Sequence, residues 1–183
     1  ARATAAFSEL FKSYSEEVEG VRMTAPEIVT LVAERYSVGP RVLLALLELR
    51  SGWLTGANLS AEQLTYPLGY TDITYRTGLF QQLSLAADAL NVGFYGWWMD
   101  TLWLVRTRDG TYIQFSTQLN AGTAGVQRAL APASADYHTW LTDLTRFAEV
   151  YRRLFGDPFA LAVEPLMPPD LRAPELRLPW PVG

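Results

Sequence analysis

The stretch Gly39-Pro-Arg-Val-Leu-Leu-Ala-Leu-Leu-Glu-Leu-Arg-Ser-Gly-Trp53 decides the fold of this chain. Pro40 suits the first position of a helix, because its missing N–H would have no partner there and its φ is already helical. The residues that follow are apolar on nearly every side, which is typical of a buried helix. At about 11 residues the run is too short to cross a bilayer, which takes about 20. We therefore predict a central core helix that ends at Gly52.

Composition narrows the class of protein. The chain has 183 residues, 49% hydrophobic and 13% aromatic, which suits one domain with a substantial core. The net charge of -4 gives no reason to expect nucleic acid or an anionic membrane as a partner. The absence of cysteine excludes disulfides, thiolate metal sites and a cysteine nucleophile. We recognise no signal peptide or membrane span, and because the sequence opens on Ala1 we expect a processed or excised piece.

The rest of the chain predicts a mainly α (α+β) fold. Apolar residues at three- and four-residue spacing predict helices. They cover residues 4–18, 77–91 and 135–155, with a further short helix that reaches about residue 130. Thr24-Ala-Pro-Glu27 has the form of a capping box, which opens a helix directly before the central one. Strand-like residues 102–106 and 111–116 flank Asp109-Gly110, a strong signal for a β-hairpin, and we predict no other.

Two segments do not predict long helices or strands. Residues 54–76 are rich in Thr, Tyr, Gly and Asn and predict a long loop with one short helical candidate at Ser60-Ala-Glu-Gln63, and a loop of this length is more often functional than idle. Seven of the 11 prolines fall between Pro158 and Pro181, which excludes a helix or an inner strand there. We therefore predict a domain over residues 1–156 and an extended tail over 157–183. This tail is either a strap that docks on the domain or a linker to another one.

Three short segments occur in an informative order. Leu47-Glu48-Leu49-Arg50-Ser51-Gly52-Trp53 ends the buried helix, Gly78-Leu-Phe-Gln-Gln-Leu83 opens the next long helix, and Leu119-Asn120-Ala-Gly122 opens another. This order resembles the lysozyme-like superfamily, in particular the lytic transglycosylases that cut peptidoglycan glycan strands. In that family an acid followed by Ser-Gly-aromatic ends a helix, a Gly-Leu-Met-Gln-type segment lines the cleft, and an Asn-Ala-Gly segment closes it. The resemblance covers roughly residues 26–155 and implies a lysozyme-like helical domain that acts outside the cytoplasm.

The sequence departs from this family at the catalytic acid. The residue directly before the Ser is Arg50, whose guanidinium holds its proton and cannot act as an acid. Glu48 lies two residues earlier, about 200° round the helix. Cleavage needs a protonated carboxylic acid in an apolar setting. Either Glu48 is brought into the cleft as the catalytic acid, or it pairs with an arginine (Arg41, Arg50 or Arg76) and serves structure.

The resemblance also implies residues that bind the glycan strand. Gln81 and Gln82 open the helix where the family lines its cleft, and aromatic rings of the long loop offer faces for sugars. Asn120 either holds the backbone of the next turn or contacts an acetamido group. The candidate substrate-binding residues are Ser51, Tyr66, Tyr70, Gln81, Gln82 and Asn120. His138, the only histidine, lacks partners for a metal site, and no metal or cofactor is predicted.

The end of the chain carries a second resemblance. Pro174-Glu-Leu-Arg-Leu-Pro-Trp-Pro-Val-Gly183 is similar to the lead-in of zinc endopeptidase domains that cut peptidoglycan cross-links. This similarity implies a covalently linked downstream peptidase, of which the chain is the amino-terminal partner. Two functions follow as hypotheses. The first is binding, with or without cleavage, of peptidoglycan glycan strands; the second is a structural or protein-interaction domain with a closed cleft.

Overall fold

The computed structural model describes residues 7–158, and this part of the chain is mainly helical with two small β-hairpins. The predicted mainly α (α+β) class is confirmed. In chain order the elements are α1 (Glu9–Ser13), β1 (Ser15–Val18), β2 (Val21–Thr24), α2 (Ala25–Tyr36), α3 (Pro40–Ser51), α4 (Ala61–Thr65), α5 (Gly78–Trp98), β3 (Leu104–Arg106), β4 (Tyr112–Gln114), α6 (Ala121–Leu130), a 3₁₀ turn (Ala131–Ala133) and α7 (Tyr137–Phe155). None of these helices is long and apolar enough to cross a membrane. The predicted tail lies, from residue 159 onward, outside the described residues.

Helix α3 is the central helix, as the sequence predicts. Gly39 precedes it, Pro40 is its first residue, and Gly52 ends it in a left-handed conformation. Its leucines are buried together with residues from α2, α5 and α6 in one core. The capping box of α2 is also present: the Glu27 carboxylate accepts the backbone N–H of Thr24 at 2.7 Å. Local sequence signals therefore determine both helices that lead into the core.

The amino-terminal segment differs from the prediction. In place of one helix over residues 4–18, α1 is a single short helix and β1 pairs with β2 in an antiparallel hairpin. The turn residues Glu19 and Gly20 both have positive φ, the conformation that tight hairpin turns require. The residues before this turn satisfy a helical spacing as well as a strand, so periodicity alone favours the wrong element.

Helices α5 and α6 cross with their backbones in close contact. A Cβ atom added at Gly93 would lie 2.7 Å from the Cα of Gly125, and one added at Gly125 would lie 2.8 Å from the carbonyl oxygen of Leu90. Only glycine allows this approach. The crossing fixes α6 against the second half of α5, and α7 then packs on α6 and α3.

The hairpin predicted around Asp109-Gly110 is confirmed. Strands β3 and β4 are antiparallel, and Val105 faces Ile113 across them on the buried side. The other face of the hairpin carries Leu104 and Tyr112, which are exposed. The chain therefore presents apolar side chains to solvent directly after the end of α5.

Candidate functional site

Glu48 lies in the last turn of α3, and its side chain is only 4% exposed. One carboxylate oxygen, Oε2, accepts the backbone N–H groups of Leu54 at 2.9 Å and Thr55 at 3.2 Å. The other, Oε1, accepts the Thr55 hydroxyl and the guanidinium of Arg153 on α7, the latter at 2.9 Å. An arginine partner was one of the two alternatives for Glu48, but the partner is Arg153 rather than Arg41, Arg50 or Arg76.

The surroundings of Glu48 suit an ionised carboxylate. Backbone N–H groups and a guanidinium can only donate hydrogen bonds, and they occupy both oxygens. A glycosidase acid needs the opposite, because it must carry a proton and give it to the glycosidic oxygen. The contacts of Glu48 therefore favour a structural role, in which it joins the end of α3 to the segment that follows and to α7.

Arg50 is also part of a structural network. Its Nη1 forms an ion pair with Asp143 on α7, and its Nη2 donates to the carbonyl oxygen of Ala133 in the 3₁₀ turn. Asp143 also accepts the Ser134 hydroxyl at 2.9 Å, and Arg108 donates to the same Ala133 oxygen at 2.9 Å. The side chains of Arg50 and Asp143 are 15% and 9% exposed, so the pair is nearly buried. It occupies the position where the lysozyme-like resemblance expects the catalytic acid.

A cavity of about 650 Å³ lies beside Glu48, between the end of α3 and one face of α7. Its polar groups come from Gln63, Arg146, Glu149 and Arg153, so both signs of charge are present. Ser51, a predicted substrate-binding residue, also lines it. However, its buried hydroxyl donates to the Leu47 carbonyl at 3.0 Å, within its own helix.

Gln82 and Tyr70 are enclosed by the protein. Gln82 is fully buried: its Oε1 accepts the Tyr70 N–H, and its Nε2 donates to the carbonyls of Tyr70 and Arg76 at 3.2 and 2.6 Å. The Tyr70 hydroxyl donates to the Ala129 carbonyl at 2.7 Å, and burial raises the pKa of Tyr70. These two side chains therefore attach the long loop to α5 and α6, and neither reaches the surface.

The remaining predicted residues also hold neighbouring segments. Tyr66 is half-buried with its hydroxyl 3.4 Å from the Thr74 carbonyl, and Gln81 accepts a hydrogen bond from Arg76. Asn120 is exposed and caps α6 by accepting the Thr123 N–H at 2.8 Å, which was one of its two alternatives. The structure does not bring the predicted residues into one cleft. Their roles toward a glycan stay predictions.

The segment Gly78-Leu79-Phe80 has a role that the sequence did not reveal. Glu16, on β1, caps the start of α5 by accepting the N–H groups of Leu79 at 3.0 Å and Phe80 at 2.6 Å. The Tyr14 hydroxyl donates a hydrogen bond to the same carboxylate at 2.6 Å. The pKa of Tyr14 is raised, mainly by burial and to a smaller extent by this hydrogen bond. A Cβ on Gly78 would lie 2.6 Å from Glu16 Oε2. This contact and the positive φ of 82° both favour glycine at position 78.

Replacing Gly78 with alanine should destabilise the domain by about 1–2 kcal/mol more than replacing Gly20, because the added methyl group pushes the Glu16 carboxylate from the helix start. Gly20 is the matched control, since its φ of 84° is close to the 82° of Gly78 but no atom lies within 4 Å of its Cβ position. Urea unfolding of both variants measures the difference. Equal losses would contradict the capping role of Glu16.

Metal binding finds no support among residues 7–158, where no group of three or more His, Cys, Asp or Glu side chains is placed to hold an ion. His138 is exposed on the first turn of α7.

The described residues form a helical domain in which hydrogen-bond donors surround the buried carboxylate of Glu48 on the central helix. A family model described as LasA, N-terminal domain, matches residues 4–169, and the chain belongs to this family. No curated protein and no solved structure matches the chain.

The family match bears on the two resemblances differently. Its description, an N-terminal domain, agrees with the prediction that this chain is the amino-terminal part of a larger protein. The lysozyme-like resemblance rested on three short segments, and residues of all three have structural roles here. That resemblance stays a prediction.

Proposed function

We propose that this chain is a non-catalytic protein-interaction domain of a secreted cell-wall peptidase, and that it contacts the peptidase domain that follows it in the same polypeptide. Two observations support the linkage: the family description, and the similarity of residues 174–183 to the lead-in of peptidoglycan endopeptidases. An enzyme that acts on the wall works outside the cytoplasm, and the proposed location of the domain is therefore extracytoplasmic.

The observation that carries the interaction role is a group of exposed apolar side chains in the stretch that runs from the end of α5 through the second hairpin. We call it the aromatic surface and define it by Trp98, Met99, Trp103, Leu104 and Tyr112. Trp98 is 73% exposed and Trp103 is 58% exposed. Single exposed apolar residues are ordinary, but several large ones within 15 consecutive residues indicate a binding surface. Tryptophan, tyrosine and methionine are also the residues in which protein interfaces are enriched.

Two contacts orient side chains of this surface. The Trp103 indole N–H donates to Asp100 at 2.9 Å, and the Arg106 guanidinium lies 5.6 Å from the centre of the Tyr112 ring. Restricted side chains lose less entropy when a partner binds, which favours affinity. The charged groups of Asp100 and Arg106 provide a polar rim. An apolar centre with such a rim suits a folded protein domain as the partner.

We expect the aromatic surface to keep the two domains together after the chain between them is cut. The test uses the full-length protein with a specific protease site introduced within residues 170–183. After cleavage the wild-type halves should co-elute in size-exclusion chromatography. The double variant Trp98→Ala/Trp103→Ala should raise the dissociation constant at least tenfold, because buried tryptophans are typical hot spots worth about 2 kcal/mol or more.

Tyr75 provides the matched control, since it is an aromatic residue 78% exposed in the long loop, away from this surface. Tyr75→Ala should leave the affinity unchanged. The folding stability of all variants should match the wild type, because these side chains are exposed. Halves that separate at once in the wild type, or a Tyr75 effect equal to that of the tryptophans, would contradict the proposal.

A second candidate function is binding of peptidoglycan glycan strands. The cavity beside Glu48 favours it, because Arg146 and Glu149 offer charged groups to an uncut strand. Pull-down of the chain on insoluble peptidoglycan tests it, with analysis of released muropeptides from the same tube. Binding that Arg146→Ala weakens would support this candidate. No binding would leave the interaction role alone.

A further inference from the structure

An apolar groove of about 470 Å³ lies between α6 and α7, beside the start of α3. Val126 of α6 and Leu144, Phe147 and Tyr151 of α7 provide its apolar walls. Their side chains are only partly buried, so the groove exposes hydrocarbon to solvent. It lies on a different part of the molecule from the cavity beside Glu48, with which it shares no lining residue.

The described chain ends at this groove. Helix α7 stops at Phe155, and Gly156 follows with a φ of 83°, a left-handed conformation that turns the chain out of the helix. Pro158, the last described residue, then lines the groove together with Phe147 and Tyr151 of the preceding helix. The described chain therefore ends at the edge of the groove.

The residues that come next are apolar. Phe159-Ala-Leu-Ala-Val163 contains no charge and no hydrogen-bonding side chain, and Glu164-Pro165 follows it. The family match runs to residue 169, past Pro158, so the family's domain includes this segment. The prolines concentrated further along belong partly to the region after the match.

We propose that residues 159–163 occupy the groove between α6 and α7 and complete the core of the domain, with Phe159 and Leu161 as the anchoring side chains. The groove supplies apolar walls, the chain enters it at Pro158, and the segment supplies apolar side chains of matching character. Docking here fixes the point at which the polypeptide leaves the domain. It thereby fixes where the remaining tail, and any domain after it, begins. This inference needs neither the peptidase domain nor the aromatic surface, and it stands or fails separately from the proposed function.

The first arm of the test measures thermal unfolding of the whole chain, residues 1–183. The double variant Phe159→Asp/Leu161→Asp should lower Tm by roughly 5 °C or more, because two anchors lose their apolar burial. The double variant Leu176→Asp/Leu178→Asp is the matched control, since it changes two leucines that lie after the family match. We expect the control to leave Tm within about 1 °C. Equal shifts in the two variants would overturn the proposal.

The second arm identifies the occupant by disulfide trapping. No native thiol competes with the introduced pair, because the chain has no cysteine. Ala148 lines the groove, so the pair Ala148→Cys/Leu161→Cys should form an intramolecular disulfide under mild oxidation. The control pair Glu17→Cys/Leu161→Cys places one thiol on the first hairpin, which contacts the start of α5. This pair should form its disulfide at least tenfold more slowly than the Ala148→Cys/Leu161→Cys pair. Equal rates would overturn the proposal. A disulfide-linked dimer would overturn it too, because the occupant would then be a second copy.

Discussion

Replacing Asp143 with leucine is expected to lower the free energy of unfolding by about 3–5 kcal/mol, the usual cost of breaking a buried ion pair from one side. The variant leaves the Arg50 guanidinium enclosed without its anion, and it leaves the Ser134 hydroxyl with the Leu130 carbonyl as its acceptor in place of two acceptors. Arg50 Nε already has no hydrogen-bond partner among the described residues, so the guanidinium has little to replace the carboxylate. Chemical denaturation followed by circular dichroism measures the loss.

Two comparisons separate this effect from a general loss of charge. Glu9 and Lys12 form an ion pair on α1 in which the Glu9 side chain is 90% exposed, so Glu9→Ala should change stability very little. The double variant Arg50→Met/Asp143→Leu should recover much of the loss, since apolar side chains of similar size can replace a buried pair. If Asp143→Leu alone costs less than about 1 kcal/mol, the pair does not hold α3 to α7.

The sequence predicted those parts of the fold that depend on neighbouring residues. Pro40, Gly52 and the capping box at Thr24 fixed the bounds of α2 and α3, and Asp109-Gly110 fixed the second hairpin. Each of these signals acts within a few residues, through a missing N–H, a left-handed turn or a side chain that caps a helix. Such signals operate in any chain, whatever its family.

The site depends on pairs that are distant in sequence, which local signals cannot predict. Asp143 lies 93 residues after Arg50, and Arg153 lies 105 residues after Glu48. In the sequence Asp143 is an ordinary member of a helix and Glu48 is a candidate acid without an identified partner. Only the packing of α7 on α3 shows which arginine each one meets. The same holds for Glu16, whose carboxylate caps a helix that begins more than 60 residues later.

Short motifs are difficult to interpret for a related reason. Gly78-Leu-Phe-Gln resembles the cleft segment of the lysozyme-like family, yet its glycine also has a positive φ of 82° and lies against the Glu16 carboxylate. Gln82 is buried, and its side-chain amide donates a hydrogen bond to the carbonyl of Arg76, at the end of the long loop. A close backbone contact and a cleft can require the same residue type, and the sequence alone does not distinguish them.

Replacing Glu48 with glutamine is expected to lower the free energy of unfolding by about 2–4 kcal/mol, although the two side chains are nearly the same size. The amide keeps one oxygen acceptor, but its NH₂ group cannot accept from the backbone N–H groups or from the Arg153 guanidinium, and only the Thr55 hydroxyl can accept from it. At least one of the Leu54 and Thr55 N–H groups, or the Arg153 guanidinium, then loses its acceptor. Denaturant unfolding measures the loss, and muropeptide release from peptidoglycan is followed on the same samples.

Glu149→Gln is the matched control, because Glu149 lines the same cavity but is exposed on α7. It should leave stability unchanged. A catalytic acid and a structural carboxylate predict opposite results for Glu48→Gln: the first predicts that release of glycan stops while stability is kept, and the second predicts that stability falls and that neither protein releases glycan. A stable Glu48→Gln variant that abolishes wild-type release would overturn the non-catalytic proposal. In that case the hydrogen bonds to the Glu48 carboxylate must break before it can take up a proton. The cavity beside it would then be the glycan site.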